Sequence, residues 1–111
     1  MIVALEDAPA IAALLRATVG KTCGDTPFVI HPTLMSAAED MRKAQGVIID
    51  WRLDDGIDAL EAGVLDYLKQ RGIPHVVFTS CPDWVPREVQ CKVIDKSEVK
   101  RLVDVVADWL D

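Results

Sequence analysis

Short apolar runs at residues 2–5, 28–30, 47–50, 75–79 and 92–94 are separated by stretches whose apolar residues return at helical spacing. This alternation is the feature that most constrains the fold. A run such as Ile2-Val3-Ala4-Leu5, apolar on both of its alternating sides, is a strand buried on both faces. The intervening stripes are Ile11, Leu14, Leu15 and Thr18, then Leu34, Ala37, Ala38 and Met41, then Leu60, Val64, Tyr67 and Leu68. A last stripe holds Val99, Leu102, Val103, Val106 and Leu110. Strands that alternate with helices build a parallel sheet covered on both faces, with right-handed crossovers. The expected fold class is α/β, doubly wound, in one domain over residues 1–111.

The punctuation agrees with this reading. Asp7 is placed to cap the first helix, with Pro9 in its first turn and Gly20 as its stop. Gly46 leads into the third strand, and 51–58, with Asp54, Asp55 and Gly56, reads as a loop. Gly72 and Pro74 close the third helix. Pro82 and Pro86 leave room only for a short or irregular helix between the fourth and fifth strands.

In an open parallel sheet, ligands bind outside the carboxyl ends of the strands, where the strand order reverses. Strand one runs into Glu6 and Asp7, strand three ends in Asp50, strand four ends in Thr79 and Ser80, and strand five runs into Asp95 and Lys96. The fold would bring these distant residues to one rim. Three carboxylates there repel one another, and Lys96 returns only one positive charge. A divalent cation removes that penalty, and carboxylates with water and a backbone carbonyl are hard oxygen ligands suited to Mg2+. A carboxylate beside such an ion can also be a nucleophile that forms an aspartyl phosphate. Phosphoryl transfer then needs in-line positioning and neutralisation of the equatorial oxygens. The Lys96 ammonium, the Thr79 hydroxyl and the Ser80 backbone N–H are the groups available for that.

Four motifs in order carry a family resemblance over the whole length: V-A-L-E-D at 3–7, V-I-I-D-W-R-L at 47–53, V-F-T-S at 77–80 and V-I-D-K-S at 93–97. The chain resembles the receiver domain of two-component response regulators. That resemblance implies a flavodoxin-like three-layer sandwich with strand order 2-1-3-4-5. It implies Asp50 as phosphoacceptor, with Glu6, Asp7, Asp50 and the Arg52 carbonyl as Mg2+ ligands. Thr79 becomes the switch hydroxyl and Lys96 the phosphate-binding lysine. The donor would be a phosphohistidine on a sensor histidine kinase or a histidine phosphotransfer protein. The receiver itself would catalyse the transfer and the later hydrolysis, signalling to a downstream protein or serving as a phosphate shuttle or sink. Trp51 and Cys81 neighbour the implied pocket, and Cys81 with Arg52 could set the hydrolysis rate.

The chain also departs from the family. Ser97 stands where most receivers have proline, and Val93 stands where many carry a tyrosine or phenylalanine that turns inward on activation. The short segment from Thr79 to Lys96 resembles that of an alphaproteobacterial subgroup with a Phe-Ala-Thr-Gly-Tyr type motif, which 72–81 approximates. The alternative is a pseudo-receiver, a binding module with the fold but without phosphorylation. Against it stand the acidic pair, Asp50 and Lys96, all present.

Other signals carry less. A net charge of -6 argues against a partner with a phosphate backbone, so no direct nucleic-acid contact is expected. Cys23, Cys81 and Cys91 are odd in number and widely spaced, so they read as free thiols of a reducing compartment. No apolar run is long enough to span a membrane and no signal peptide is visible, which makes a soluble cytoplasmic protein the expectation. Gly20-Lys21-Thr22 resembles the end of a P-loop but follows a helix and lacks the upstream glycine. His31 and His75 read as structural, Trp51 as partly exposed packing, and Trp84 and Trp109 as packing or partner-facing residues.

Overall fold

Each of the five strands pairs in parallel with its neighbours, giving the order β2-β1-β3-β4-β5. The computed structural model of the protein describes residues 1–53 and 56–111. Asp54 and Asp55, assigned above to the loop after the third strand, lie outside the described residues. The strands are β1 (Ile2–Leu5), β2 (Phe28–His31), β3 (Gly46–Ile49), β4 (His75–Thr79) and β5 (Lys92–Asp95). The helices are α1 (Pro9–Cys23), α2 (Leu34–Lys43), α3 (Val64–Gln70) and α4 (Val99–Leu110). Between β4 and β5 only a three-residue 3-10 turn forms, Pro82–Trp84, as the two prolines of that stretch require.

Alternation along the strands divides the core into two layers. Val3, Leu5, Val47, Ile49 and Val77 pack with Ala37, Met41, Val64, Leu65 and Leu68 of α2 and α3. Ile2, Ala4, Ile48, Val76, Phe78 and Ile94 pack with Leu15, Val19, Leu102 and Val106 of α1 and α4. The result is the expected three-layer sandwich. Register then fixes the rim: Leu5 lies level with both His31 and Ile49, and Thr79 lies level with Asp95. Glu6 and Asp50, each one residue further along, therefore emerge side by side at the reversal between β1 and β3.

Several local expectations are corrected. Asp7 does not cap α1. The N-cap is Ala8, whose N–H donates to the Glu6 carboxylate at 3.2 Å, so Glu6 holds the helix start while Asp7 stays exposed. Gly20 does not stop α1, because the buried stripe Ala12, Leu15, Val19 and Cys23 continues past it. The stop is Gly24, at φ 57, where a side chain would be strained. The third helix begins only at Val64, after Gly63, and leaves Leu60 in the preceding turn. Trp51 is 3% exposed rather than partly exposed. The alternation of β3 persists beyond its last pair, so Val47, Ile49, Trp51 and Leu53 all face the α2/α3 layer. The Trp51 carbonyl accepts from Ala59 N–H at 2.8 Å, which holds this extension in place.

The histidines are structural. His31 Nε2 lies 2.8 Å from Asp40 Oδ2, and His75 Nδ1 lies 2.8 Å from the Ile73 carbonyl. All three cysteines are free thiols. Among the described residues no helix is long and apolar enough to cross a membrane.

Candidate functional site

The rim carries a compact charge cluster built from three strand ends. Lys96 Nζ stands 2.9 Å from Glu6 Oε1 and 3.2 Å from Asp50 Oδ2, so one ammonium bridges two carboxylates. The Glu6 side chain is 2% exposed, and those of Asp50 and Lys96 are each 13% exposed. Glu6, Asp7 and Asp50 each offer a carboxylate oxygen, and these oxygens lie within 4.8 Å of one another. The sequence places all four residues at strand ends, and the fold brings all four together.

Burial and charge decide the protonation of the cluster. Burial pushes the Glu6 carboxyl above its ordinary value, the hydrogen bond from Lys96 pulls it back, and the Asp50 charge raises it further. For Lys96 burial works downward, but the hydrogen bond to Glu6 and the charges of Asp50 and Glu6 outweigh it and raise the ammonium above its ordinary value. The lysine is thus held charged, while burial keeps the Glu6 carboxyl beside it above its ordinary value.

Backbone and neighbouring hydrogen bonds fix the turn that carries the lysine. Its backbone N–H donates to the Thr79 carbonyl at 3.0 Å, which ties the end of β5 to the end of β4. On either side of it, Ser97 donates from its N–H and from its hydroxyl to Asp95 Oδ1, both at 2.9 Å. Ser97 therefore stiffens by hydrogen bonds the turn where most receivers have proline. Thr79 is buried, and its Oγ1 accepts from Cys81 N–H at 3.1 Å. Ser80 is exposed just beyond it, Cys81 is half-buried, and the Trp51 ring lies in the core.

Leu5, Glu6, Asp7, Pro32, Leu34, Asp50, Arg52 and Leu53 line a cleft with room for about one water-sized sphere, about 10 Å³. The donor set fits a small hard cation. Magnesium binds oxygens at about 2.0–2.1 Å, so its ligands stand roughly 3–4 Å from one another, within the spread of the three carboxylates. Arg52 belongs to this lining, and Pro32 and Leu34 are wall residues that no sequence pattern marked. Trp84 was also missed as a neighbour of the rim. The Arg52 guanidinium lies over its ring, 5.8 Å from the centroid.

A doubly wound sheet whose switch point carries an acidic cluster and a lysine is the arrangement that the resemblance to receiver domains implies. No protein-family model matches the chain, and no curated protein sequence does. Solved structures do, among them response regulators and their receiver domains. The chain is 25% identical to the PhyR stress response regulator with a TM-score of 0.70, covering 98% of this chain but 43% of that one. Against the PhyR receiver domain of Erythrobacter litoralis the values are 23% identity, TM-score 0.75, and coverage of 98% and 88%. Against SdrG from Sphingomonas melonis Fr1 they are 23%, 0.73, and 96% and 94%. SdrG in a BeF3-activated conformation and the Mn(2+)-bound form of Rcp1 also match. The chain is a structural relative of response-regulator receiver domains and has their flavodoxin-like fold.

Proposed function

We propose that residues 1–111 form one receiver domain in which Asp50 accepts a phosphoryl group. The observation that carries this reading is the convergence of Glu6, Asp7, Asp50 and Lys96 at the switch point, with Lys96 bonded to both Glu6 and Asp50. In the reaction an Asp50 carboxylate oxygen forms a bond to phosphorus, and the bond from phosphorus to the donor nitrogen breaks. The leaving imidazole keeps that electron pair. Lys96, already charged and placed at 3.2 Å, neutralises the oxygens of the transferred group. The Thr79 hydroxyl would turn from Cys81 N–H to the phosphoryl oxygen. Glu6, Asp7, Asp50 and the Arg52 carbonyl would hold Mg2+, which supplies charge neutralisation at the transferring group.

That Rcp1 binds Mn(2+) and that SdrG adopts a BeF3-activated conformation supports a site for a divalent ion and a phosphoryl mimic. The phosphohistidine donor of a sensor kinase or phosphotransfer protein, a cytoplasmic location and readout by protein contact belong to the same proposal. Hydrolysis by water attack on the aspartyl phosphate returns Asp50 to its free state. Incubation with acetyl phosphate and Mg2+, read by intact mass, tests the reading. One phosphoryl should add to the wild type and none to Asp50→Asn. An unmodified wild type, or equal labelling of the variant, sinks it and favours a pseudo-receiver.

A further inference from the structure

Arg52 lies beside the Asp50 cleft, and its guanidinium stacks over an aromatic ring of another loop. The residue lines the cleft of Asp50, while its guanidinium carbon lies 5.8 Å from the centre of the Trp84 ring, on the turn between β4 and β5. Arg52 is exposed, and Trp84 is 59% exposed. The contact therefore joins one loop beside the cleft to another without burying either partner. Trp84 and Met35 are the exposed large hydrophobic residues among those described.

We propose that Trp84 parks Arg52 in the unmodified protein, and that the guanidinium moves onto the phosphoryl group once Asp50 carries one. This rests on the reading of Asp50 as phosphoacceptor. The argument is a competition for one cation. A cation–π contact at an exposed site is weak, because water solvates the guanidinium almost as well as the ring face does. A phosphoryl group on Asp50 brings close to two negative charges and three acceptor oxygens beside the same cleft. Guanidinium binds such a group through paired N–H donors, with bonds about twice as strong as neutral ones. Among the described residues, the carboxyl that feels the Arg52 charge is Glu61, only as a minor influence beside its hydrogen bond and charge contact with Asp58, and it is exposed. The phosphoryl group therefore wins the cation.

Two consequences follow from the geometry. Arg52 becomes a phosphoryl-binding residue that acts only in the modified state, which lengthens the life of the adduct. Trp84, relieved of its cation, becomes a free indole face on the rim. With Val93 in place of an inward-turning aromatic ring, this gives the chain an aromatic readout drawn from a different loop.

The test uses beryllofluoride with Mg2+ on the full chain, followed by fluorine NMR for occupancy and by the indole N–H resonances of the tryptophans. The Trp84 signal is assigned by its loss in Trp84→Phe. The proposal expects a bound fluoride signal together with a shift of the Trp84 indole toward its position in ligand-free Arg52→Ala. It also expects Arg52→Ala to bind beryllofluoride about tenfold more weakly, with Arg52→Lys recovering only part of that because a point charge cannot pair two donors. A bound signal with an unmoved Trp84 indole overturns the parking of Arg52 and leaves the phosphoacceptor reading intact. Absence of a bound signal in the wild type overturns both.

Discussion

Lys96 and Glu6 form an ion pair of 2.9 Å in which the carboxylate is almost wholly buried. Such a pair is a weak source of net stability, since each charge gave up its water to enter it, but removing one partner leaves the other uncompensated. Lys96→Met should therefore destabilise the protein by about 3 kcal/mol near neutral pH. The loss should depend on pH. Burial already holds the Glu6 carboxyl above its ordinary value, and loss of the lysine removes the contact that pulls it down. A carboxyl whose folded-state pKa exceeds its unfolded value binds more protons when folded, so stability falls as pH rises through that interval. Urea midpoints of Lys96→Met should rise as pH drops from ~7 to ~5, and more steeply than those of the wild type. A midpoint that does not move over this range would show that Glu6 is not the stressed group.

Asp7 is the acid of the cluster that the fold itself does not use. It is exposed and caps nothing, whereas Glu6 also accepts from Ala8 N–H. If the three carboxylates share a cation, Asp7→Asn should remove most of the stabilisation that Mg2+ confers. In the absence of metal it should leave the melting temperature unchanged or slightly raised, because one like charge is gone. Bound ligand at a hundredfold over its dissociation constant stabilises by about 2.7 kcal/mol, which thermal melts with and without Mg2+ resolve. Equal Mg2+ shifts in wild type and Asp7→Asn would remove Asp7 from the ligand set.

The architecture was legible because central strands buried on both faces, flanked by two half-buried edge strands, leave an unmistakable apolar pattern, and strand register converts that pattern into a rim. Glu6, Asp7, Asp50 and Lys96 were legible for the same reason: each is the first or second charged residue after an apolar run. The exposure of Trp51 was misjudged because it follows the last residue of an apolar run at a strand end, while period-two alternation from Val47 through Leu53 sends its ring inward. The end of α1 was misjudged because a glycine is a common stop. Here the buried stripe runs on to Cys23, and packing overrides the lower helix propensity of Gly20. The Arg52–Trp84 contact had no signature at all, since it joins two exposed residues on separate irregular loops.

Ser97 is a departure from the receiver resemblance, and its hydrogen bonds give it a place in the turn. Its N–H and hydroxyl both bond Asp95 Oδ1, and those bonds hold the Asp95 carboxyl below its ordinary range, the backbone one most. A carboxyl with a depressed folded-state pKa adds stability that is present above its unfolded value and lost as pH falls through the folded one. The acid limb of a stability–pH curve should therefore flatten in Asp95→Asn. Ser97→Ala keeps the backbone bond and should flatten it less. If the two variants follow the wild-type limb point for point, this turn does not contribute to the acid sensitivity.

Gly46 was expected only as a strand entry, yet it is a packing requirement set by the far end of the chain. A side-chain carbon on it would come within 2.6 Å of Trp109 Cδ2, inside the van der Waals surface of a ring that α4 lays across the start of β3. Gly46→Ala must therefore displace the indole, and overpacking of this kind costs typically about 1–3 kcal/mol. Trp109→Ala alone should also destabilise, by leaving the half-buried ring's place empty. The double variant should be more stable than the sum of the two losses predicts, because the alanine at 46 then meets no ring. A coupling of about 1 kcal/mol or more from a double-mutant cycle is the expected result, well outside the additivity of distant sites. Simple additivity would mean that α4 does not pack on β3 through this pair.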